Sequence, residues 1–99
     1  MPQERNIQAS VLTWLRQVST VRKLHGTQFG TIGDPDIYGC YRGRMFVLEL
    51  KQQGKKPTPI QQARIAEWER AGAAVFVAHS LDELREQWRL TFPEEVSIL

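Results

Sequence analysis

The sequence predicts an α/β domain in which a mixed sheet is flanked by helices. Three observations carry that expectation. The chain has 99 residues, enough for one core and too few for two. Apolar residues recur at helical spacing in three segments and alternate or cluster at strand spacing in four others. The resulting order, α-β-β-β-α-β-α, places a helix between the last two strands, so that these two can run parallel while the first three form an antiparallel meander.

Residues 3–18 form the first helix, with Ile7, Val11, Trp14, Leu15 and Val18 in one apolar stripe. Thr20, Val21 and Leu24 suit a short strand ending at Gly26. Gly26 to Gly33 carries three glycines without periodicity and reads as a loop. Ile37 to Tyr41 and Met45 to Lys51 read as strands joined by a hairpin turn at Arg42, Gly43 and Arg44. Gly54 to Pro59 is a basic loop. Thr58 as N-cap, Pro59 at the first helical position and Gln61 at the third announce the next helix, with Ile60, Ala63, Ile65, Trp68 and Ala71 as its apolar positions and Gly72 as its stop. Ala73 to Ala78 reads as a buried strand. Ser80 and Glu83 are expected to form another capping box, opening a last helix through about Arg89, with Leu81, Leu84 and Trp88 facing inwards. All three tryptophans sit at helical apolar positions, where core packing explains them, and Cys40 reads as a small buried strand residue.

Composition narrows the function. Apolar residues are 41% and charged residues 24% of the chain, an ordinary globular balance. No apolar run approaches the ~20 residues of a membrane span, and no signal-peptide core follows Met1, so a soluble, intracellular domain is expected. A single cysteine excludes an internal disulfide and a cysteine-based zinc site. Residues 1–56 hold nine Lys/Arg against four Asp/Glu, whereas residues 57–99 hold four against seven. One basic surface for a phosphate-bearing partner is expected, set against chance clustering of solvated charge.

The chemistry concentrates in two short motifs. In the strand Met45 to Lys51, Phe46, Leu48 and Leu50 share one face while Val47, Glu49 and Lys51 share the other. Glu49 follows four apolar residues, and a buried carboxylate is costly unless paired or bound to a cation. Lys51 could pair with it as an ordinary ion pair. Upstream, Gly33-Asp34-Pro35-Asp36 reads alone as a turn. The hairpin, however, brings Asp36 beside Glu49 and Lys51, and two adjacent carboxylates repel unless a cation lies between them. Oxygen-only ligands suit Mg²⁺ or Mn²⁺. Glu4 lies along the apolar stripe of the first helix, seven residues from Val11, although a first-turn acid is also favoured by the helix dipole. Gln61 has a capping role and could also turn its amide towards the strand end. Lys55 and Lys56 on the basic loop, and Arg42 and Arg44 at the hairpin tip, are candidate phosphate contacts or plain solvated cations. His25 and His79 have no ligand-spaced partner.

Glu4, Gly33-Asp34-Pro35-Asp36, Glu49-Leu50-Lys51, Thr58-Pro59-Ile60-Gln61 and the run from Gly72 to Ala78 together resemble the VRR-NUC family of the PD-(D/E)xK nuclease superfamily, over about residues 3–89. The resemblance implies a restriction-endonuclease-like fold and a stand-alone nuclease domain spanning residues 1–99. It implies metal binding by Asp36, Glu49 and the backbone carbonyl of Leu50. It matches Lys51 to the catalytic lysine, Glu4 to the first-helix acid and Gln61 to the glutamine after the lysine strand; Asp34 is an extra acid. It also implies Mg²⁺- or Mn²⁺-dependent hydrolysis of DNA, with branched, junction or flap DNA as substrate. A non-catalytic nucleic-acid-binding or scaffold domain is the alternative, against which the intact Asp36, Glu49 and Lys51 set argues. A homodimer is expected, because cutting both strands of a branched duplex calls for two sites. Trp88, Leu90, Phe92, Val96, Ile98 and Leu99 either pair across that dimer or close the core of their own subunit.

Overall fold

The computed structural model describes residues 4–24 and 31–93, the side chains of Glu4 and Arg5 excepted. Within them the element order is the expected one: α1 (Glu4–Val18), β1 (Thr20–Lys23), β2 (Ile37–Tyr41), β3 (Arg44–Leu50), α2 (Pro59–Arg70), β4 (Ala74–Ala78) and α3 (Leu81–Thr91). The four strands form one sheet in the order β1-β2-β3-β4. The first three are antiparallel neighbours, and β4 runs parallel to β3 after the α2 crossover. His25, Gly26 and residues 94–99, with Val96, Ile98 and Leu99 among them, lie outside the described residues.

The two faces of the sheet are built differently. Ile37 and Tyr41 of β2, Phe46, Leu48 and Leu50 of β3, and Ala74, Phe76 and Ala78 of β4 point to one face and are all buried. Ile7, Val11, Leu12 and Leu15 of α1 and Leu84 and Trp88 of α3 cover them. The Trp88 ring lies 5.1 Å from Phe46, 5.5 Å from Phe76, 5.1 Å from Tyr41 and 4.8 Å from Phe92. Aromatic pairs at such distances add about 0.5–1.5 kcal/mol each beyond their buried area. Trp88 and Phe92 thus close the core of their own subunit, while Leu90 is exposed. Gly39 lies opposite Phe46, and any Cβ there would meet the Thr20 carbonyl at 2.3 Å and the Phe46 ring at 2.7 Å, so this strand position admits glycine alone.

The second face carries Tyr38, Cys40, Val47, Glu49, Val75 and Val77, and α2 lies over part of it. Here the helical periodicity misleads. Ile60, Ala63, Ile65, Trp68 and Ala71 were expected inwards, yet no residue of α2 is buried and Ile60 is 41% exposed. Cys40 is likewise exposed, not buried. It pairs with Met45, itself 37% exposed, at the hairpin end of the strands. The hairpin turns through Arg42 (φ 49°) and Gly43 (φ 84°), a two-residue turn closed by the Tyr41–Arg44 pair. Among the described residues, no helix is long and apolar enough to cross a membrane.

Candidate active site

The candidate site lies on the second face, where β2 begins and β3 ends. Ile37 pairs with Leu48, and the same register carried one residue further sets Asp36 against Glu49. Opposed residues of antiparallel strands project to the same face, so the two carboxylates share it. The Leu24 amide donates to the Asp36 carbonyl at 2.7 Å, which extends the β1–β2 ladder to Asp36 and fixes the backbone that carries it. Glu49 is the one buried charged residue among those described, 6% exposed. Lys51 Nζ stands 4.0 Å from Glu49 Oε2, and both side chains are largely shielded from water.

Two glutamines complete the cluster. Gln61 Oε1 accepts from the Thr58 amide at 2.9 Å, while Thr58 Oγ1 accepts from the Gln61 amide, so the capping box of α2 is present in both directions. The same Gln61 side chain donates through Nε2 to Glu49 Oε2 at 3.3 Å. Capping and site contact, alternatives in the sequence, are therefore one arrangement, and it pins the start of α2 to the end of β3. Gln8 of α1 donates to Asp36 Oδ2 at 3.4 Å, a contact absent from the expectations. Its signal was local: Gln8 is one helical turn beyond Glu4. The backbone of Glu4 opens α1, and its side chain lies outside the described residues.

Asp34 takes a different part from Asp36. Its Oδ1 accepts from the Trp68 indole Nε1 at 3.3 Å, and Arg64 Nε donates to the Ile32 carbonyl at 3.1 Å. At Gly33 (φ 89°), a Cβ would come within 2.9 Å of the Ile60 side chain. These contacts dock α2 onto the turn that delivers Asp36. Trp68, expected in the core, is half-buried beside Leu24, Tyr38 and Met45 at a small cleft of about 230 Å³.

The expected cations divide. Lys55 and Lys56 follow the end of β3 closely, on the loop that leads to α2. Arg42 and Arg44 sit at the other end of β3, roughly 20 Å from Lys51 at the rise of an extended strand, and the Arg42 guanidinium lies over the Tyr41 ring at 5.5 Å. The structure does not bring these arginines into the cluster. Among the described residues no three His, Cys, Asp or Glu side chains form a metal-sized group. Two carboxylates and a backbone carbonyl nevertheless fit Mg²⁺, which keeps several waters and takes one or two protein carboxylates.

Ser80 caps α3 by accepting from the Glu83 amide at 3.1 Å, but the Glu83 side chain turns to His79 instead of returning to the cap.

This four-stranded mixed sheet between helices defines the class: a restriction-endonuclease-like α/β domain. Comparison with solved structures is more particular. A structure titled "VRR_NUC domain protein" superposes with a TM-score of 0.77 at 20% identity, over 93% of this chain and 89% of its own. A second, titled "VRR_NUC domain", gives a TM-score of 0.72 at 28% identity, over 84% of this chain and 90% of its own. The first likeness shows the fold, and the second, at the higher identity, makes this chain similar to a VRR-NUC domain. No family model matches the sequence, and no curated protein does.

Proposed function

We propose that this protein is a divalent-metal-dependent endonuclease that hydrolyses phosphodiester bonds in DNA, with branched, junction or flap DNA as its substrate. The observation that carries the reading is the grouping of Asp36, Glu49 and Lys51 on one sheet face within a nuclease fold. Asp36, Glu49 and the carbonyl of Leu50 would hold Mg²⁺ or Mn²⁺. When bound, such an ion lowers the pKa of coordinated water and stabilises charge on phosphoryl oxygens.

The remaining work falls to the chain's own groups. Lys51 stands near Glu49, where its ammonium orients the attacking water or offsets charge that develops on the phosphoryl oxygens, or where its neutral amine takes the proton from that water. Gln61 and Gln8 each donate to one carboxylate oxygen and so restrict the rotamers of Glu49 and Asp36. The family resemblance adds Glu4, one turn before Gln8 along α1, as a further acid. Lys55 and Lys56 supply contacts to the DNA backbone close to the cluster, with Arg42 and Arg44 as more distant ones. Preference for branched DNA rests on the family likeness. An intracellular location belongs to the same reading, since that is where DNA is met.

A homodimer completes the proposal, because paired cuts in a branched duplex require two sites in fixed relation. Light scattering at micromolar concentration should give twice the 11.4 kDa of one chain, and a monomer mass would remove this part. For the activity, plasmid and four-way-junction substrates are incubated with Mg²⁺ or with chelator. Mg²⁺-dependent nicking, faster on the junction, is expected. DNA binding without cleavage in any divalent metal would instead leave the non-catalytic binding domain.

A further inference from the structure

We propose that His79 is a positioning residue that fastens the loop carrying Lys55 and Lys56 beside the end of β3, and thereby sets how well those lysines engage a DNA backbone. The proposal rests on the reading of that loop as a DNA contact. His79 follows β4 directly, where the pairing with β3 is prolonged by the Lys51 amide donating to the Ala78 carbonyl at 3.0 Å. Its ring bridges two elements. Nε2 lies 2.7 Å from the backbone carbonyl oxygen of Lys55, and Nδ1 lies 3.1 Å from Glu83 Oε1 on α3.

Both neighbours are acceptors. A neutral imidazole has one N–H, so it can satisfy either the carbonyl or the carboxylate while turning a lone pair on the other. The imidazolium donates to both. The bond to Lys55 and then the bond to Glu83 accordingly raise the pKa of His79 above 6.5, with the Glu83 charge adding to them and partial burial working the other way. The charged groups on the surrounding segments are Glu83 and Asp82 of α3, Lys55 and Lys56 of the loop, and Lys51 at the end of β3; Glu83 is the one that touches the ring.

The rest of the loop is held elsewhere. The Lys55 amide donates to the Gln52 carbonyl at 3.0 Å, and Gln62 Nε2 donates to the Pro57 carbonyl at 2.9 Å. Those bonds tie the loop to itself and to α2. His79 ties its middle to the β4–α3 corner. The anchor is firm, because Gln87 Nε2 donates both to the Val77 carbonyl at 2.8 Å and to Glu83 Oε1 at 3.4 Å. Because the folded pKa is raised, the fastening is complete below pH 6.5 and loses one of its two bonds as pH rises through the folded value. DNA phosphates do not titrate in that range, so a matching change in affinity belongs to the protein.

The test has two arms on the full chain. Without DNA, NMR follows the His79 ring and the ¹⁵N relaxation of the Lys55 and Lys56 amides. The ring is expected to titrate above 6.5, and both amides should gain mobility in His79→Ala. A ring that titrates at or below 6.5, or amides unmoved by the substitution, overturns the fastening. The second arm measures binding of a fluorescent duplex in chelator by anisotropy. The wild type should weaken about threefold between about pH 6 and about pH 8.5, the worth of part of one hydrogen bond, with its midpoint at the NMR value. His79→Ala should be weak and flat with pH. His79→Gln, which can donate to the Lys55 carbonyl but does not titrate, should recover part of the affinity and remain flat. A pH response that persists in His79→Ala overturns the proposed effect on binding. The double variant Lys55→Ala/Lys56→Ala tests the underlying reading separately: unchanged affinity there removes the loop as a DNA contact, whatever the first arm shows.

Discussion

The two faces of the sheet draw on the same strands and use them differently. On the face under α1 and α3, alternate residues of β2, β3 and β4 are apolar and buried, and the rings of Tyr41, Phe46, Phe76, Trp88 and Phe92 interlock. On the face under α2, the intervening residues include Asp36, Glu49 and Lys51, and the covering helix buries none of its own side chains. One face supplies the free energy that holds the fold. The other accepts a buried carboxylate and a thin cover, an arrangement that costs stability and is tolerated where chemistry needs charge. A strand with period two lets both purposes share β3.

The comparison can be broken at either face. The largest expected effect lies on the closed one. Trp88→Ala removes the ring at the centre of the aromatic cluster and should cost about 3–5 kcal/mol, a large share of the stability of a domain this size. Urea denaturation followed by far-ultraviolet circular dichroism measures it; a loss under about 1 kcal/mol would mean that the cluster does not dominate the core.

Next in size is Lys51→Ala. The variant should retain DNA binding and its fold but lose cleavage by at least ~10². Unfolding or loss of metal binding would make Lys51 a structural partner of Glu49 instead. The smallest effect separates two neighbouring acids. Asp34→Asn keeps an acceptor for the Trp68 indole, so cleavage should remain within about threefold of wild type and stability should fall by less than about 1 kcal/mol. A collapse of cleavage equal to that of Asp36→Asn would move Asp34 into the site.

The closed face was legible in the sequence because local period and burial agree there. The stripe of α1 names Ile7, Val11 and Leu15, which are buried, and Trp14 and Val18, which are partly so, while the alternation of Phe46, Leu48 and Leu50 names three fully buried residues. On the second face, period and burial part company. The spacing of Ile60, Ile65 and Trp68 describes a stripe, but burial also depends on how closely the helix seats on the sheet, and α2 leaves every one of these residues at least partly exposed. Cys40 fails for the same reason, since alternation assigns it to a face without saying how far the covering helix reaches. The site's central residues were readable because the hairpin fixes which positions of β2 and β3 oppose one another. Gln61 showed through its capping box. His79 was not readable: its partners are a backbone carbonyl 24 residues upstream, which no residue type marks, and a glutamate otherwise accounted for by the cap of α3.

The central claim is that the second face spends stability on a metal-dependent cleavage site. Its most direct test is Glu49→Ala, compared with wild type for Mg²⁺-dependent nicking of plasmid DNA and for urea stability in metal-free buffer. Nicking should disappear while stability stays level or rises, because a carboxylate is removed from a buried position beside Asp36. Full Mg²⁺-dependent nicking by Glu49→Ala would contradict the account.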